Sequence, residues 1–353
     1  MKKVMCGFLI VSIVSTFALM GCGNSGDDYV VNDVTYVSEE VIIGESGDWP
    51  LEGVLTLPVE ASAEHPVPVV ILVHGSGPGD RDQRIFENRP FFDIADYLSE
   101  NGIAVLRYDK RTYTHGLEML DVLGGELTVM EETIEDVLLA AELVRGDDRI
   151  DEEQVFVLGL SLGGMLAPRI YRSADGDFAG LIIMAGTPRD LTEVMIMQNE
   201  MMLDEMEEGA DRNAALIQVE QTRSIFDSIP EMTPEAAQAM DLGGMSAYYF
   251  LDMILNPFED NLAEVEAPIL ALQGDRDFQV VAEIDFVLME ELLAGRENAQ
   301  TILYPGLNHL FMPSEIATGI SDIMDEYAVP SRVDERVLRD IVQWIFEQVQ
   351  DDR

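Results

Sequence analysis

The sequence predicts an α/β protein with a doubly wound, mostly parallel sheet. Three observations lead to this prediction. Short apolar runs rich in β-branched residues alternate with amphipathic helical patterns along most of the chain, as parallel βαβ units require. Two strand-like runs precede this series with no helix between them. One interval, residues 188–261, carries helical patterns only and is predicted as an insertion between two strands.

Each predicted strand is a short apolar segment that ends in turn residues, which is typical of strands buried on both faces. The parallel core is predicted at Val67–Val73, Ile103–Tyr108, Val155–Leu160, Leu181–Ala185, Ile269–Gln273 and Gln300–Tyr304. The two early runs, Val30–Ile43 and Leu51–Leu57, are predicted as antiparallel edge strands. Helices are predicted at Phe91–Glu100, Val129–Arg145, Leu162–Tyr171, Ala282–Ala294 and Val333–Val349. Residues 29–187 and 262–353 are therefore expected to form one core.

The insertion, residues 188–261, is expected to be a helical cap over the carboxyl edge of the sheet. Nine of the chain's 19 methionines fall in it: Met195, Met197, Met201, Met202, Met206, Met232, Met240, Met245 and Met253. Methionine suits a surface that adapts to varied apolar ligands, and it also fills gaps in a small helical core. Gap filling is the interpretation we favour.

The first residues are predicted to be a targeting signal. Lys2 and Lys3 precede an apolar run that is too short to span a membrane, and small residues end the run at Cys22. Residues 1–21 resemble a bacterial lipoprotein signal, with Cys22 lipidated and residues 22–28 as a polar tether. An uncleaved anchor is the alternative. In both cases the protein is exported and bound to a membrane. If the signal is cleaved, Cys6 leaves with it and Cys22 takes the lipid, so no thiol is left for a disulfide or a metal.

The charge balance is strongly acidic, with 67 Asp and Glu against 21 Lys and Arg and a net charge of −46. Beyond residue 3 the only lysine is Lys110. Such a surface indicates adaptation to high salt, where counterions screen the repulsion. An acidic periplasmic protein from an ordinary habitat is the alternative. Like-charge repulsion disfavours nucleic acid and anionic membrane surfaces as partners.

A G-x-S-x-G motif carries the predicted chemistry. Ser161 stands between Gly159 and Gly163, directly after a predicted buried strand and before a predicted helix. This is the setting of a nucleophile elbow, a strained strand-to-helix turn whose glycines allow the two backbones to approach closely. The positive end of the helix also lies beside the serine. Ser161 is therefore predicted to be a nucleophile.

The elbow also predicts the order of its partners, which is serine, acid, histidine. His309 is the only one of the four histidines after Ser161, and it follows the last predicted strand. It is the predicted general base. The acid is expected after the strand Ile269–Gln273, where Asp275 and Asp277 are both candidates. We favour Asp277, because related hydrolases place the acid at the last position of such a turn.

The glycine-rich segment Val73–Gly79 follows the first core strand, where an oxyanion hole takes one of its donors. The backbone N–H groups of Ser76 and Leu162 are the predicted oxyanion donors. No lysine–serine pair follows these glycines, so the segment does not match a phosphate-binding loop. Because the sequence shows neither a metal-ligand cluster nor a dinucleotide motif, we expect no metal and no organic cofactor.

The motifs together resemble the bacterial EstD-like carboxylesterases, close to the dienelactone-hydrolase and serine-aminopeptidase-like branches of the α/β-hydrolase fold. The resemblance runs from about Val41 to Trp344. It rests on His74–Asp82 (HGSGPGDRD), Gly102–Thr112 (GIAVLRYDKRT), Gly159–Pro168, Leu272–Val280 (LQGDRDFQV) and Tyr304–Met312 (YPGLNHLFM). It implies hydrolysis of short acyl esters, with Ser161, Asp277 and His309 as the triad.

Two features depart from these relatives: Leu160 replaces a frequent histidine, and the acidic, methionine-rich insertion diverges. The charged residues of the motifs are expected to be structural pairs that brace the oxyanion segment, with substrate contact as the alternative. They are Asp80, Arg81, Asp109, Lys110 and Arg111. The predicted partner is a small ester. A serine exopeptidase and a non-catalytic surface binding protein are the alternative functions, and the sequence does not predict an oligomeric state.

Overall fold

The computed structural model describes residues 35–351. The predicted signal, Cys22, the tether and the first residues of the strand predicted at Val30–Ile43 lie outside the described residues. Within residues 35–351, no helix is both long and apolar enough to cross a membrane.

One eight-stranded sheet forms the centre of the fold, with the strand order β1-β2-β4-β3-β5-β6-β7-β8. The strands are β1 Tyr36–Ile43, β2 Leu51–Pro58, β3 Val67–Val73, β4 Ala104–Tyr108, β5 Ile150–Leu160, β6 Gly180–Met184, β7 Ile269–Gly274 and β8 Ala299–Tyr304. Strand β2 runs antiparallel to both β1 and β4, and every other pairing is parallel. The prediction of an antiparallel start and a parallel core is confirmed.

Twelve α-helices accompany the sheet in the described part of the chain. They are α1 Pro90–Glu100, α2 Arg111–Leu123, α3 Glu135–Arg145, α4 Leu162–Ser173, α5 Leu191–Glu205, α6 Ala210–Phe226, α7 Pro234–Gln238, α8 Ala247–Leu255, α9 Phe258–Ala263, α10 Val287–Leu293, α11 Ile323–Tyr327 and α12 Glu335–Asp351. The helices predicted at Val129–Arg145 and Ala282–Ala294 each begin with a π-helical turn, at Met130–Ile134 and Ala282–Phe286.

Both faces of the sheet are covered, which explains the uninterrupted apolar strands. On β3, Val69 and Ile71 belong to the core shared with α3 and α4. The alternate residues Val70 and Leu72 belong to the core shared with α1 and α12. Successive side chains of a strand point to opposite faces, so a strand buried on both sides needs an apolar residue at every position. The predicted α/β class with a parallel core is confirmed.

The sequence predicts no helix over α2, and this is wrong. Helix α2 buries only Arg111 and Met119, so it has no inward apolar stripe of the kind that identifies a helix in a sequence. It also contains a glycine, Gly116, which lowers the helix propensity of the segment. The start of β5 differs as well, because the strand begins at Ile150 rather than Val155. The residues 151–154 that follow Ile150 are polar, so the apolar pattern of the sequence does not include them.

The helices α5–α9 lie between β6 and β7, in the interval predicted as an insertion. An ion pair between Arg169 of α4 and Asp252 of α8 ties this segment to the core. Seven of its methionines are buried or packed against the two apolar cores: Met195, Met201, Met202, Met232, Met240, Met245 and Met253. This packing supports the interpretation that they fill gaps in a core.

Candidate active site

Ser161 occupies the sharp turn between β5 and α4. Its backbone has φ +57° and ψ −116°, a conformation that costs a non-glycine residue on the order of 1–3 kcal/mol. The surrounding structure holds the turn in place: the Ser161 N–H donates to the Met184 carbonyl of β6 at 2.8 Å. The side chain is thereby held at the carboxyl edge of the sheet, the edge where open α/β sheets bind ligands.

The elbow glycines are required by close backbone contacts. A Cβ on Gly159 would lie 2.2 Å from the carbonyl carbon of Gly163, and one on Gly163 would lie 2.3 Å from the Val73 oxygen. Neither contact can be relieved by moving a flexible side chain. This geometry supports the expectation that both positions must be glycine.

His309 and Asp277 are in direct contact. The His309 Nδ1 lies 2.7 Å from the Asp277 Oδ2, and the two side chains are 8% and 0% exposed. A carboxylate only accepts hydrogen bonds, so Nδ1 carries the proton and donates it. The other ring nitrogen, Nε2, is therefore the acceptor in the neutral ring.

Asp277 is held by three further donors. Its Oδ1 accepts the backbone N–H groups of Gln279 at 2.8 Å and Val280 at 3.0 Å. Its Oδ2 accepts the Gln273 Nε2 at 2.9 Å in addition to His309. Asp275, the other candidate acid, is exposed and accepts the Gly306 N–H at 2.6 Å. The structure thus brings Asp277, and not Asp275, to His309.

The loop that carries His309 is fixed by its neighbour Asn308. The Asn308 Oδ1 accepts the N–H groups of Leu310 and Met312, and its Nδ2 donates to the Glu326 Oε1 at 2.9 Å. Burial by itself would raise the pKa of Glu326, but hydrogen bonds from Asn308, Ala317 and Ser314 hold that pKa below its usual value. A charged, fully bonded Glu326 therefore anchors the loop.

Ser161 and His309 both line a cleft of about 310 Å³. Its walls come from five parts of the chain: the segment 75–86, Tyr113 of α2, Leu160–Ser161, Gln279 and the segment 309–327. Among the described residues, the insertion contributes none of the lining. A wider depression of about 1040 Å³ lies at the opposite edge of the sheet, where β6, β7 and β8 begin.

Both predicted oxyanion donors are close to this cleft. Gly75 and Ser76 line it, and a Cβ on Gly75 would lie 3.3 Å from the Ser161 Cβ. Leu162 is the first residue of α4, so its N–H has no partner within the helix. The structure thus brings the Gly75–Ser76 segment close to Ser161 and its neighbour Leu162.

The base of the oxyanion segment is a buried histidine. Burial lowers the pKa of His74 to about 4, so near neutral pH the ring is uncharged. Its Nε2 donates to the Asp80 carbonyl at 2.9 Å, and the ring packs against Phe91 and Tyr108. His74 thereby fixes the two ends of the segment 74–80 to each other.

Most of the charged residues in the motifs pair with other protein groups. Arg81 binds Asp109 through its backbone N–H and its guanidinium. Arg111 pairs with Asp136, and Lys110 with Glu132. These contacts support the bracing interpretation. Asp80 differs because it also lines the cleft.

Several residues of the cleft were not predicted, among them Tyr113, Gln279 and Tyr327. The Gln279 Nε2 donates to the Tyr327 hydroxyl at 2.7 Å. Gln279 had a local signal, since it lies two residues after Asp277. Tyr113 and Tyr327 had none, because α2 and α11 reach the cleft only through the tertiary fold. Within residues 35–351, no group of three or more His, Cys, Asp or Glu side chains could hold a metal ion.

The fold and the elbow place this protein in a known group: the chain belongs to the alpha/beta hydrolase family, whose model matches residues 70–317. It is similar to esterase EstD of Thermotoga maritima, with 36% identity over 299 residues, 84% of this chain and 66% of that protein. The match thus spans just under two thirds of the relative's length. The resemblance noted in the sequence is confirmed.

Among the solved structures that share the fold are two that match most of this chain. Est1E from Butyrivibrio proteoclasticus has a TM-score of 0.55 at 18% identity, over 88% of this chain and 99% of that one. A proline iminopeptidase of Mycobacterium smegmatis has a TM-score of 0.55 at 16% identity, over 90% of this chain and all of the other. At these identities the likeness establishes the architecture alone.

Proposed function

We propose that this protein is a serine carboxylic ester hydrolase that acts through a Ser161–His309–Asp277 triad. The observation that carries the proposal is the contact of His309 Nδ1 with Asp277 beside the cleft that Ser161 and His309 share. The similarity to esterase EstD supports an ester as the substrate.

The proposed reaction is two-step acyl transfer. The His309 Nε2 accepts the Ser161 proton as the serine oxygen bonds to the ester carbonyl carbon. The negative charge on the carbonyl oxygen is stabilised by the N–H groups of Ser76 and Leu162. His309 then protonates the departing alcohol. Water attacks the acyl-enzyme by the same route, which releases the acid and restores Ser161.

The size of the cleft supports short acyl esters. Its volume of about 310 Å³ is at the lower end of the range for small-molecule sites. A two- or four-carbon acyl group and a small alcohol fit such a volume.

The test is hydrolysis of p-nitrophenyl acetate, butyrate and octanoate by the domain from residue 29 onward, beside an aminoacyl p-nitroanilide. We expect kcat/KM to be larger for the first two esters than for octanoate and larger for each ester than for the anilide. Faster anilide cleavage would establish the exopeptidase alternative. A folded protein with no turnover and no labelling by a fluorophosphonate would leave the binding-protein alternative.

We also propose that the protein is exported and held at a membrane by a lipid on Cys22. The support is the basic start, short apolar run and terminal cysteine of the signal-like segment. The full-length protein is expected in the membrane fraction of a bacterial host, and Cys22→Ser is expected to prevent labelling by a clickable fatty acid. Equal labelling of both forms would contradict the lipid site.

The acidic surface is proposed to be an adaptation to high salt. With 67 acidic and 21 basic residues, mutual repulsion opposes folding at low ionic strength, where the screening length is long. We expect the Tm to rise by several degrees between about 0.1 M and about 1 M KCl, as the Debye length falls to about 3 Å. NaCl, which screens charge equally, should raise the Tm by a similar amount, and a Tm that is the same with and without molar salt would contradict charge screening.

A further inference from the structure

Lys110 is buried beside the oxyanion segment. Its side chain is 2% exposed, and its Nζ donates to the Gly75 carbonyl oxygen at 2.9 Å. Its backbone N–H donates to the Gly79 carbonyl at 3.0 Å. One residue therefore binds both ends of the segment 75–79. It is also the only lysine in residues 35–351, and every other cationic side chain of that part of the chain is an arginine or a histidine.

The contact with Gly75 has a consequence for Ser76. The Gly75 carbonyl and the Ser76 N–H belong to one peptide group, which is trans and planar. In a trans peptide these two bonds point in opposite directions. A carbonyl fixed toward the buried Lys110 therefore directs the N–H away from it. Gly75, Ser76 and Ser161 line the same cleft, so an N–H directed away from Lys110 can face that space.

We propose that Lys110 is a positioning residue for the oxyanion site: it orients the Gly75–Ser76 peptide so that the Ser76 N–H faces the developing negative charge. The inference rests on the proposed function. A cation at the carbonyl also polarises the peptide and strengthens its N–H as a donor. Hydrogen bonds from charged donors are roughly twice as strong as neutral ones, so the orientation is held firmly.

Two further residues hold Lys110 in place. Its Nζ pairs with the Glu132 Oε1 at 2.7 Å, which compensates a charge that would be costly to bury alone. The Glu132 Oε2 accepts the hydroxyl of Tyr249 at 2.5 Å. Tyr249 belongs to α8 of the insertion. A continuous chain of buried contacts thus runs from the insertion through Glu132 and Lys110 to the peptide beside the nucleophile.

Replacing the ammonium tests the proposal. Lys110→Met is expected to lower kcat for p-nitrophenyl butyrate by roughly 10- to 100-fold, less than the loss of a whole oxyanion donor. KM should change by less than about twofold, because the oxyanion exists only in the transition state. Inhibition by a trifluoromethyl ketone, whose serine adduct carries the same negative oxygen, should weaken by about the same factor as kcat.

The variants are chosen to separate positioning from stability. Lys110→Met leaves Glu132 without its cation, so the double variant Lys110→Met/Glu132→Gln removes that unpaired charge and should show the same loss of kcat. Arg296→Met is the matched control: it removes another cation, partly buried, that donates to backbone carbonyls, those of Val265 and Leu262, just before β8 and at the sheet edge opposite the cleft. It should lower the Tm without changing kcat.

The outcomes distinguish the two proposals. A wild-type protein without esterase activity would overturn the proposed function and this inference with it. An active wild type whose folded Lys110 variants keep kcat and ketone affinity within about twofold would overturn the inference alone. A rise in KM at constant kcat would also overturn it, because the loss would then lie in substrate binding.

Discussion

Ser161→Ala is expected to lower kcat for p-nitrophenyl butyrate by roughly 10⁶-fold, the loss typical of removing a serine nucleophile. The substitution removes the oxygen that would bond to the acyl group, whereas the oxyanion donors and the His309–Asp277 pair stay in place. Residual hydrolysis above the uncatalysed rate then measures what binding and the oxyanion site contribute alone. Initial rates give the ratio, with the active sites of the wild type counted by fluorophosphonate and the concentration of the folded variant measured by absorbance.

Folding has to be compared alongside activity. Alanine tolerates the φ of +57° at position 161 no better than serine does, so the two proteins should have similar Tm values. Ser228→Ala makes the same chemical change in a surface turn of the insertion, where the hydroxyl donates to the Ile225 carbonyl, and should leave the rate unchanged. A Ser161→Ala variant that keeps more than about 1% of kcat would exclude Ser161 as the nucleophile.

The sheet was predictable because its strands are buried on both faces. The apolar run Val67–Val73 coincides with β3 at both ends, since every position of that strand needs an apolar side chain. Helix α2 was not predictable for the opposite reason. It exposes Tyr113 and Leu117 and buries Arg111, so its pattern contradicts the rule by which amphipathic helices are recognised.

The candidate site likewise has residues that the sequence predicts and contacts that only the fold reveals. Ser161 and His309 follow from local motifs and chain order, and the preference for Asp277 over Asp275 came from the resemblance to related hydrolases. The contacts that surround them are nonlocal. Lys110 and Tyr249 are connected through Glu132, and no sequence pattern joins residues so far apart. Only the fold shows that the insertion, absent from the cleft lining, is still connected to the oxyanion segment through Glu132 and Lys110.

The geometry also determines how an amide would sit in place of the acid at position 277. The Oδ1 position faces two backbone N–H groups, from Gln279 and Val280, which cannot reverse. An asparagine would therefore place its carbonyl oxygen there and its NH₂ group at the Oδ2 position. That NH₂ group would face His309 Nδ1 and the Gln273 Nε2, which also donates to the Val280 carbonyl at 3.1 Å, so Gln273 would lose one acceptor.

Asp277→Asn is accordingly expected to lower kcat by roughly 10⁴-fold at neutral pH. An NH₂ group opposite Nδ1 favours the tautomer that carries its proton on Nε2, and that nitrogen can then no longer accept the Ser161 proton. The imidazolium also loses its negative partner. Asp275→Asn is the matched control: its carboxylate is exposed and bonds only the Gly306 N–H, so kcat should stay within about twofold. Equal losses in the two variants, or a loss in Asp275→Asn alone, would show that the acid has been assigned to the wrong residue.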